Sequence, residues 1–203
     1  DPERVRVIAC GALAREILAV LRLNGWDHVE LTCLPAELHL RPERIPDAVE
    51  RATGEARAAG VGTILVAYAD CGTGGRLAAR CAALGVEMIA GPHCYAFFDG
   101  VAAFEARGAA EMRVFYLTDF LVRQFDAFVW RPMGLDRAPE LRETLFGGYE
   151  TLVHLAQTED PELDRLARAA AARLGLRHAR RVTGYGDLAA FLGRAAEGAA
   201  PPA

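Results

Sequence analysis

The run Thr63-Ile64-Leu65-Val66-Ala67-Tyr68 constrains the fold more than any other stretch of the chain. It is almost wholly apolar and does not alternate, which is the pattern of a strand covered on both faces. Such a strand belongs inside a mostly parallel sheet, and the rest of the sequence supplies its neighbours. Val5–Ala9, Val29–Cys33 and Val86–Ile89 read as strands, and Val114–Leu117 as a fifth strand or a helix start. Thr151–Ala156 and Arg180–Thr183 complete the series. Helical stretches alternate with them: Ala12–Leu23 closed by Asn24-Gly25, Pro46–Ala59 closed by Gly60, Arg76–Leu84 closed by Gly85, Leu121–Val129, Pro161–Leu174 closed by Gly175, and a last helix from Asp187. The alternation predicts an α/β fold: a mostly parallel open sheet with helices on both faces, Rossmann-like and three-layered. A length of 203 residues suits a single α/β domain over 1–197, with 198–203 as a disordered tail.

Composition narrows the chemistry. All 23 basic residues are Arg, so a lysine Schiff base, a lysine general base and a Walker-type phosphate loop are excluded. A net charge of −4 with no basic stripe argues against a nucleic-acid partner. No apolar run approaches the roughly 18 residues of a membrane span. Five cysteines, an odd number without an export signal, point to reduced thiols and a cytoplasmic protein.

Three of those cysteines occupy equivalent places. Cys10 ends the first strand before Gly11. Cys71 follows Tyr68-Ala69-Asp70 and precedes Gly72, and Cys94 lies in Gly91-Pro92-His93-Cys94-Tyr95 after the fourth strand. The carboxyl ends of parallel strands share one edge, where ligands bind, so these thiols are expected to converge. A lone buried cysteine often packs as a small hydrophobe, and Cys81, inside a helix, is expected to do so. Cys33 also ends a strand and stays an open case. His39, leaving the second strand, is the candidate fourth metal ligand beside Cys10, Cys71 and Cys94. Three thiolates and an imidazole suit zinc, and three thiolates with an open position suit catalytic zinc or a [4Fe–4S] cluster. His93 adjoins Cys94 and is better placed to orient or to carry a proton.

The segment Asp70-Cys71-Gly72-Thr73-Gly74-Gly75 opens a helix. Its N–H groups are candidates for holding the anionic end of a substrate through Gly72, Thr73, Gly74 and Gly75, with Arg41 as a clamp. Asp70 and His93 are the candidate catalytic groups. Thr118-Asp119 is expected to cap the helix that follows the fifth strand.

Taken together, Ala9-Cys10-Gly11-Ala12-Leu13, Leu38-His39 with Pro42, Tyr68-Ala69-Asp70-Cys71-Gly72, Gly91-Pro92-His93-Cys94-Tyr95 and Tyr116-Leu117-Thr118-Asp119-Phe120 resemble the domain-of-unknown-function 1638 family. The resemblance implies a setting near corrinoid-dependent methyltransferases, in one-carbon or methylamine metabolism. The expectation is a metal-dependent enzyme, a transferase or lyase, that handles a small anionic, thiol or amine substrate. The alternative is a metallochaperone or accessory factor for a corrinoid methyltransferase.

Overall fold

A computed structural model describes residues 4–198. Its strands form two all-parallel sheets flanked by helices, as an α/β fold requires. β1 (Val5–Cys10), β2 (Val29–Leu34), β3 (Thr63–Ala67) and β4 (Glu87–Met88) form the first, in the order β2-β1-β3-β4. β5 (Val114–Thr118), β6 (Thr151–Ala156) and β7 (Arg177–Val182) form the second, in the order β5-β6-β7. The helices are α1 (Ala14–Asn24), α2 (Ile45–Ala58), α3 (Arg76–Leu84), α4 (Cys94–Asp99), α5 (Val101–Arg107), α6 (Asp119–Arg123), α7 (Leu141–Phe146), α8 (Pro161–Leu174) and α9 (Gly186–Gly198). A single domain is expected over 1–197; the described residues divide into two compact units, those of Asp1–Phe97 with those of Tyr185–Ala203, and those of Phe98–Gly184. The tail expected from 198 lies, from residue 199 onward, outside the described residues, and Gly198 closes α9.

In the first unit β1 lies between β2 and β3, in parallel register with both. Val7, Ile8 and Ala9 are all fully buried, so both faces of β1 are covered, and Leu65, Val66 and Ala67 repeat the pattern in β3. Crossovers of one hand place α1, which leads to β2, and α2, which leads to β3, on opposite faces. Consistently, α2 packs against α3 while α1 packs against α9. The strand order reverses between β1 and β3, so a crevice opens at their carboxyl ends.

In the second unit both crossovers run the same way, and α6 packs against α8 on one sheet face. Leu117 of β5 and Leu152 of β6 pack there with Leu163, Ala167 and Ala170 of α8. Thr118 caps α6 as expected, its hydroxyl accepting from Leu121 N at 3.4 Å. Asp119 does something else. Fully buried, it accepts hydrogen bonds from the backbone N–H groups of Gln157 and Thr158, at 3.3 and 3.1 Å, and from the Thr158 hydroxyl at 2.6 Å. It thereby pins the loop after β6 to the end of β5. The helix expected over Leu121–Val129 is broken, with α6 ending at Arg123 and a π-helical turn running from Asp126 to Trp130.

Candidate functional site

Cys10 is the last residue of β1 and is buried. The chain turns immediately at Gly11, where a Cβ would stand 2.9 Å from the Leu34 carbonyl oxygen at the end of β2. Glycine is therefore required for the β1 exit to pass this close to its neighbour. β3 ends next door, and Tyr68, Ala69 and Asp70 lead to Cys71, which has φ of 48° and is the one described residue other than glycine with a positive φ. Gly72, Gly74 and Gly75 continue the left-handed path into α3.

The loop after β4 locks onto this turn. Asp70 N donates to the Gly91 carbonyl and Cys71 N to the Pro92 carbonyl, each at 3.0 Å. The two loops are thus zipped backbone to backbone, and Cys94, at the start of α4, is drawn to Cys71. Their sulfurs are 3.1 Å apart. Both residues are part-exposed.

The pair is electrostatically unequal. The hydrogen bond from Cys94 holds the Cys71 thiol below its usual range; burial opposes this, and backbone hydrogen bonds from Cys94 and Ala69 add to it. Cys94 is pushed well up, by that same hydrogen bond and by burial. The pair therefore ionises first at Cys71, with the proton retained longer on Cys94. Burial raises Cys10 to about 11, with the charge on Cys71 contributing. Tyr68, which the sequence did not mark as a site residue, reaches this cluster: its buried hydroxyl has no hydrogen-bond partner of good geometry. Burial raises its pKa, and so do the neighbouring Cys10, Cys94 and Cys71.

Cys10 is the outlying member, because the sulfurs of Cys10, Cys71 and Cys94 do not all lie within 4.8 Å of one another. His39 is carried by the 3-10 turn Ala36–Leu40, and the following Pro42 approaches the cysteine loop, its Cγ 3.6 Å from where a Gly72 Cβ would be. Burial lowers the His39 pKa and His93 lowers it further, so the two imidazoles influence each other. His93 stacks on Tyr95 with ring centroids 4.9 Å apart, and burial lowers its pKa against an opposing pull from Asp70. Cys33 is exposed, and Cys81 is buried in α3 as expected.

The glycine loop makes a different use of its N–H groups from the expected one. Asp70 folds back to accept from Gly74 N at 3.1 Å, Gly75 N at 2.6 Å and the Thr73 hydroxyl at 2.8 Å. Those donors hold the Asp70 carboxyl below its usual range, Gly75 first. The anion cradled at the α3 N-terminus is thus the protein's own side chain. Arg41 is exposed.

The family described as "Protein of unknown function (DUF1638)" matches residues 33–192. The chain belongs to the DUF1638 family. The matched stretch contains Cys33, Cys71 and Cys94 and leaves Cys10 outside it. Among curated proteins and solved structures, none matches the chain. No helix among the described residues is long and apolar enough to cross a membrane.

Proposed function

We propose that this DUF1638 protein is a metal-dependent enzyme whose metal is held by Cys10, Cys71 and Cys94, with His39 as a fourth ligand. One observation carries the reading: the loops after β3 and β4 bring the Cys71 and Cys94 sulfurs to 3.1 Å, and Cys10 ends β1, the strand paired with β3. Cys71, whose pKa is lowered, would supply the charge a soft cation needs, and His39, whose pKa is also lowered, would offer a lone pair. Cys10 would lose its proton only on binding, as thiol ligands do. Zinc suits this donor set and would act as a Lewis acid or activate a substrate thiolate; a [4Fe–4S] cluster is the alternative cofactor.

The substrate class that fits is a small thiol, amine or carboxylate, with Arg41 and His93 as the candidate polar groups to bind it. Transferase or lyase chemistry in one-carbon metabolism, beside a corrinoid methyltransferase, is the setting the family resemblance implies. Metal analysis and a visible spectrum of protein purified without air test the reading. About one zinc per chain, or iron with sulfide and broad visible absorption, is expected, and Cys71→Ser should remove it. Unchanged metal content in Cys71→Ser would overturn the ligand assignment.

A second reading, a metallochaperone or accessory factor, is favoured by the partial exposure of Cys71 and Cys94. Exposed thiols can pass a metal to another protein by ligand exchange. Reversible transfer of the metal to an apo-methyltransferase, with no turnover by the protein alone, would select this reading.

A further inference from the structure

Three buried polar atoms of the second unit have no hydrogen-bond partner: His154 Nδ1, Asp164 Oδ1 and His178 Nε2. Buried polar groups are almost always paired, so three such orphans in one place need a common explanation. They are in one place. One ligand atom from each of His154, Asp164 and His178 lies within 4.8 Å of the others.

The fold puts them there by register. Parallel pairing sets His178 of β7 opposite Leu152 of β6, and His154 lies two residues beyond Leu152. Side chains alternate along a strand, so both histidines project from the face that carries Leu152. Leu152 packs against α8, and Asp164 lies in the first turn of α8. A helix carboxylate is thus set over two strand imidazoles.

The surrounding hydrogen bonds fix what each ligand offers. Asp119 Oδ1 is 2.9 Å from His154 Nε2. Asp119 also takes the N–H groups of Gln157 and Thr158 and the Thr158 hydroxyl, so it acts there as an ionised acceptor. His154 Nε2 must therefore donate, and in the neutral ring that leaves a lone pair on Nδ1, to which nothing donates. Asp164 is treated likewise: Oδ2 accepts from Arg168 Nε at 3.0 Å, and Oδ1 is left facing His178 Nε2 at 3.9 Å, too far for a hydrogen bond. A carboxylate that orients a ligating imidazole through its other nitrogen is the usual outer support of a metal site.

We propose that His154, Asp164 and His178 bind a divalent first-row transition-metal ion. Two imidazoles and a carboxylate select zinc or a neighbouring metal over calcium or magnesium. A tetrahedral ion with ligands at about 2.0–2.2 Å needs them about 3.3–3.5 Å apart, so the Asp164–His178 gap closes by roughly half an ångström on binding. Three protein ligands leave one position open. A groove of about 480 Å³ lined by Glu159, Asp160, Pro161, Asp164, Arg168 and Arg180 runs beside Asp164 and gives the ion a route from solvent. Arg168 and Arg180 on its wall favour an anion on the open position. The site shares no residue with the cysteine cluster, so it stands or falls independently of it.

Cobalt(II) binding to the full chain, reduced and stripped of metal, is the test, because thiolate ligands give an intense charge-transfer band that nitrogen and oxygen ligands lack. The Cys10→Ser/Cys71→Ser/Cys94→Ser variant should still bind one cobalt per chain without that band, and zinc should displace it. Adding His178→Gln should remove that cobalt while far-UV circular dichroism is retained, and Asp119→Asn should weaken it about 10- to 100-fold. Should a variant fail to fold, nitrogen-15 spectra of the wild-type histidines decide. Zinc should shift the His154 Nδ1 resonance and leave Nε2 protonated. A cysteine variant that folds yet binds no cobalt, or wild-type His154 resonances indifferent to zinc, would overturn the proposal.

Discussion

The sulfurs of Cys71 and Cys94 stand 3.1 Å apart although 23 positions separate them in the chain. Two backbone hydrogen bonds between the loops, Asp70 N to Gly91 O and Cys71 N to Pro92 O, produce this approach. Each loop follows its own strand of the first sheet, so thiol proximity is a direct product of strand order.

Thiol reactivity should follow the inequality of the pair. In reduced, metal-free protein Cys71 should alkylate with iodoacetamide faster than Cys10 or Cys81 at neutral pH. Its rate should rise with pH through a midpoint below that of an ordinary thiol, because its thiolate is favoured. Burial pushes Cys10 and Cys81 up to about 11, so they should react only in strong alkali. Cys94→Ala should move the Cys71 midpoint upward, since the main hydrogen bond to the thiolate is gone. Peptide mapping by mass spectrometry reads all three, and equal rates at pH 7 would refute the ordering.

Asp70 should behave as the cap of its own loop. Asp70→Ala removes the acceptor for Gly74, Gly75 and Thr73 and should cost about 1–2 kcal/mol in urea unfolding, with Asp70→Asn costing less. Its carboxyl pKa is lowered in the folded protein, so its contribution is present above the ordinary Asp pKa and is lost as pH falls through the folded value. The wild-type minus Asp70→Asn stability difference should therefore shrink on acidification below about pH 4. A difference that grew instead would assign the carboxylate another role.

Asp119 should matter more than the cap beside it. Burial favours its neutral form, but hydrogen bonds from His154 and Thr158 outweigh that and keep its pKa below the usual range. Asp119→Ala strands several buried donors and should cost about 3–5 kcal/mol, against about 0.5–1 kcal/mol for Thr118→Ala. Equilibrium denaturation of both variants tests the ranking.

Gly11→Ala should reach the cysteine cluster through the backbone. The new Cβ would meet the Leu34 carbonyl at 2.9 Å, and backbone cannot yield as a side chain does. About 1–3 kcal/mol of destabilisation is expected, together with weaker metal retention as the Cys10 turn shifts. A variant with wild-type stability would show that the β1 exit has slack.

Much of the first unit was legible in the sequence because its signals are local. An apolar run, a following glycine and a strand-end cysteine each occupy a few adjacent residues, and β1, β3 and the helices between them fall where those signals lie. The partition of strands was not legible: the sequence leaves Val114–Leu117 as a strand or a helix start and does not say that the neighbour of β5 is β6 and not β4. The role of Asp119 was missed for the same reason, since Thr118-Asp119 reads as a cap until Gln157 and Thr158 are seen to converge on it. His154 and His178 lie on separate strands with only register to relate them, and Arg180–Thr183 was read as the last strand where β7 begins at Arg177. Asp70 could have been recognised: an Asp three, four and five residues before Thr73, Gly74 and Gly75 is a turn-forming pattern whose own carboxylate satisfies the loop.

The backbone at Cys71 bears on why sulfur stands there at all. A side chain in the left-handed region costs on the order of 1 kcal/mol that glycine would not incur, and Gly72, Gly74 and Gly75 all occupy that region nearby. Replacing Cys71 with Gly should therefore make the fold more stable while removing the thiolate. A substitution that strengthens the fold while removing the thiol would mark Cys71 as a residue that stability alone would not have chosen.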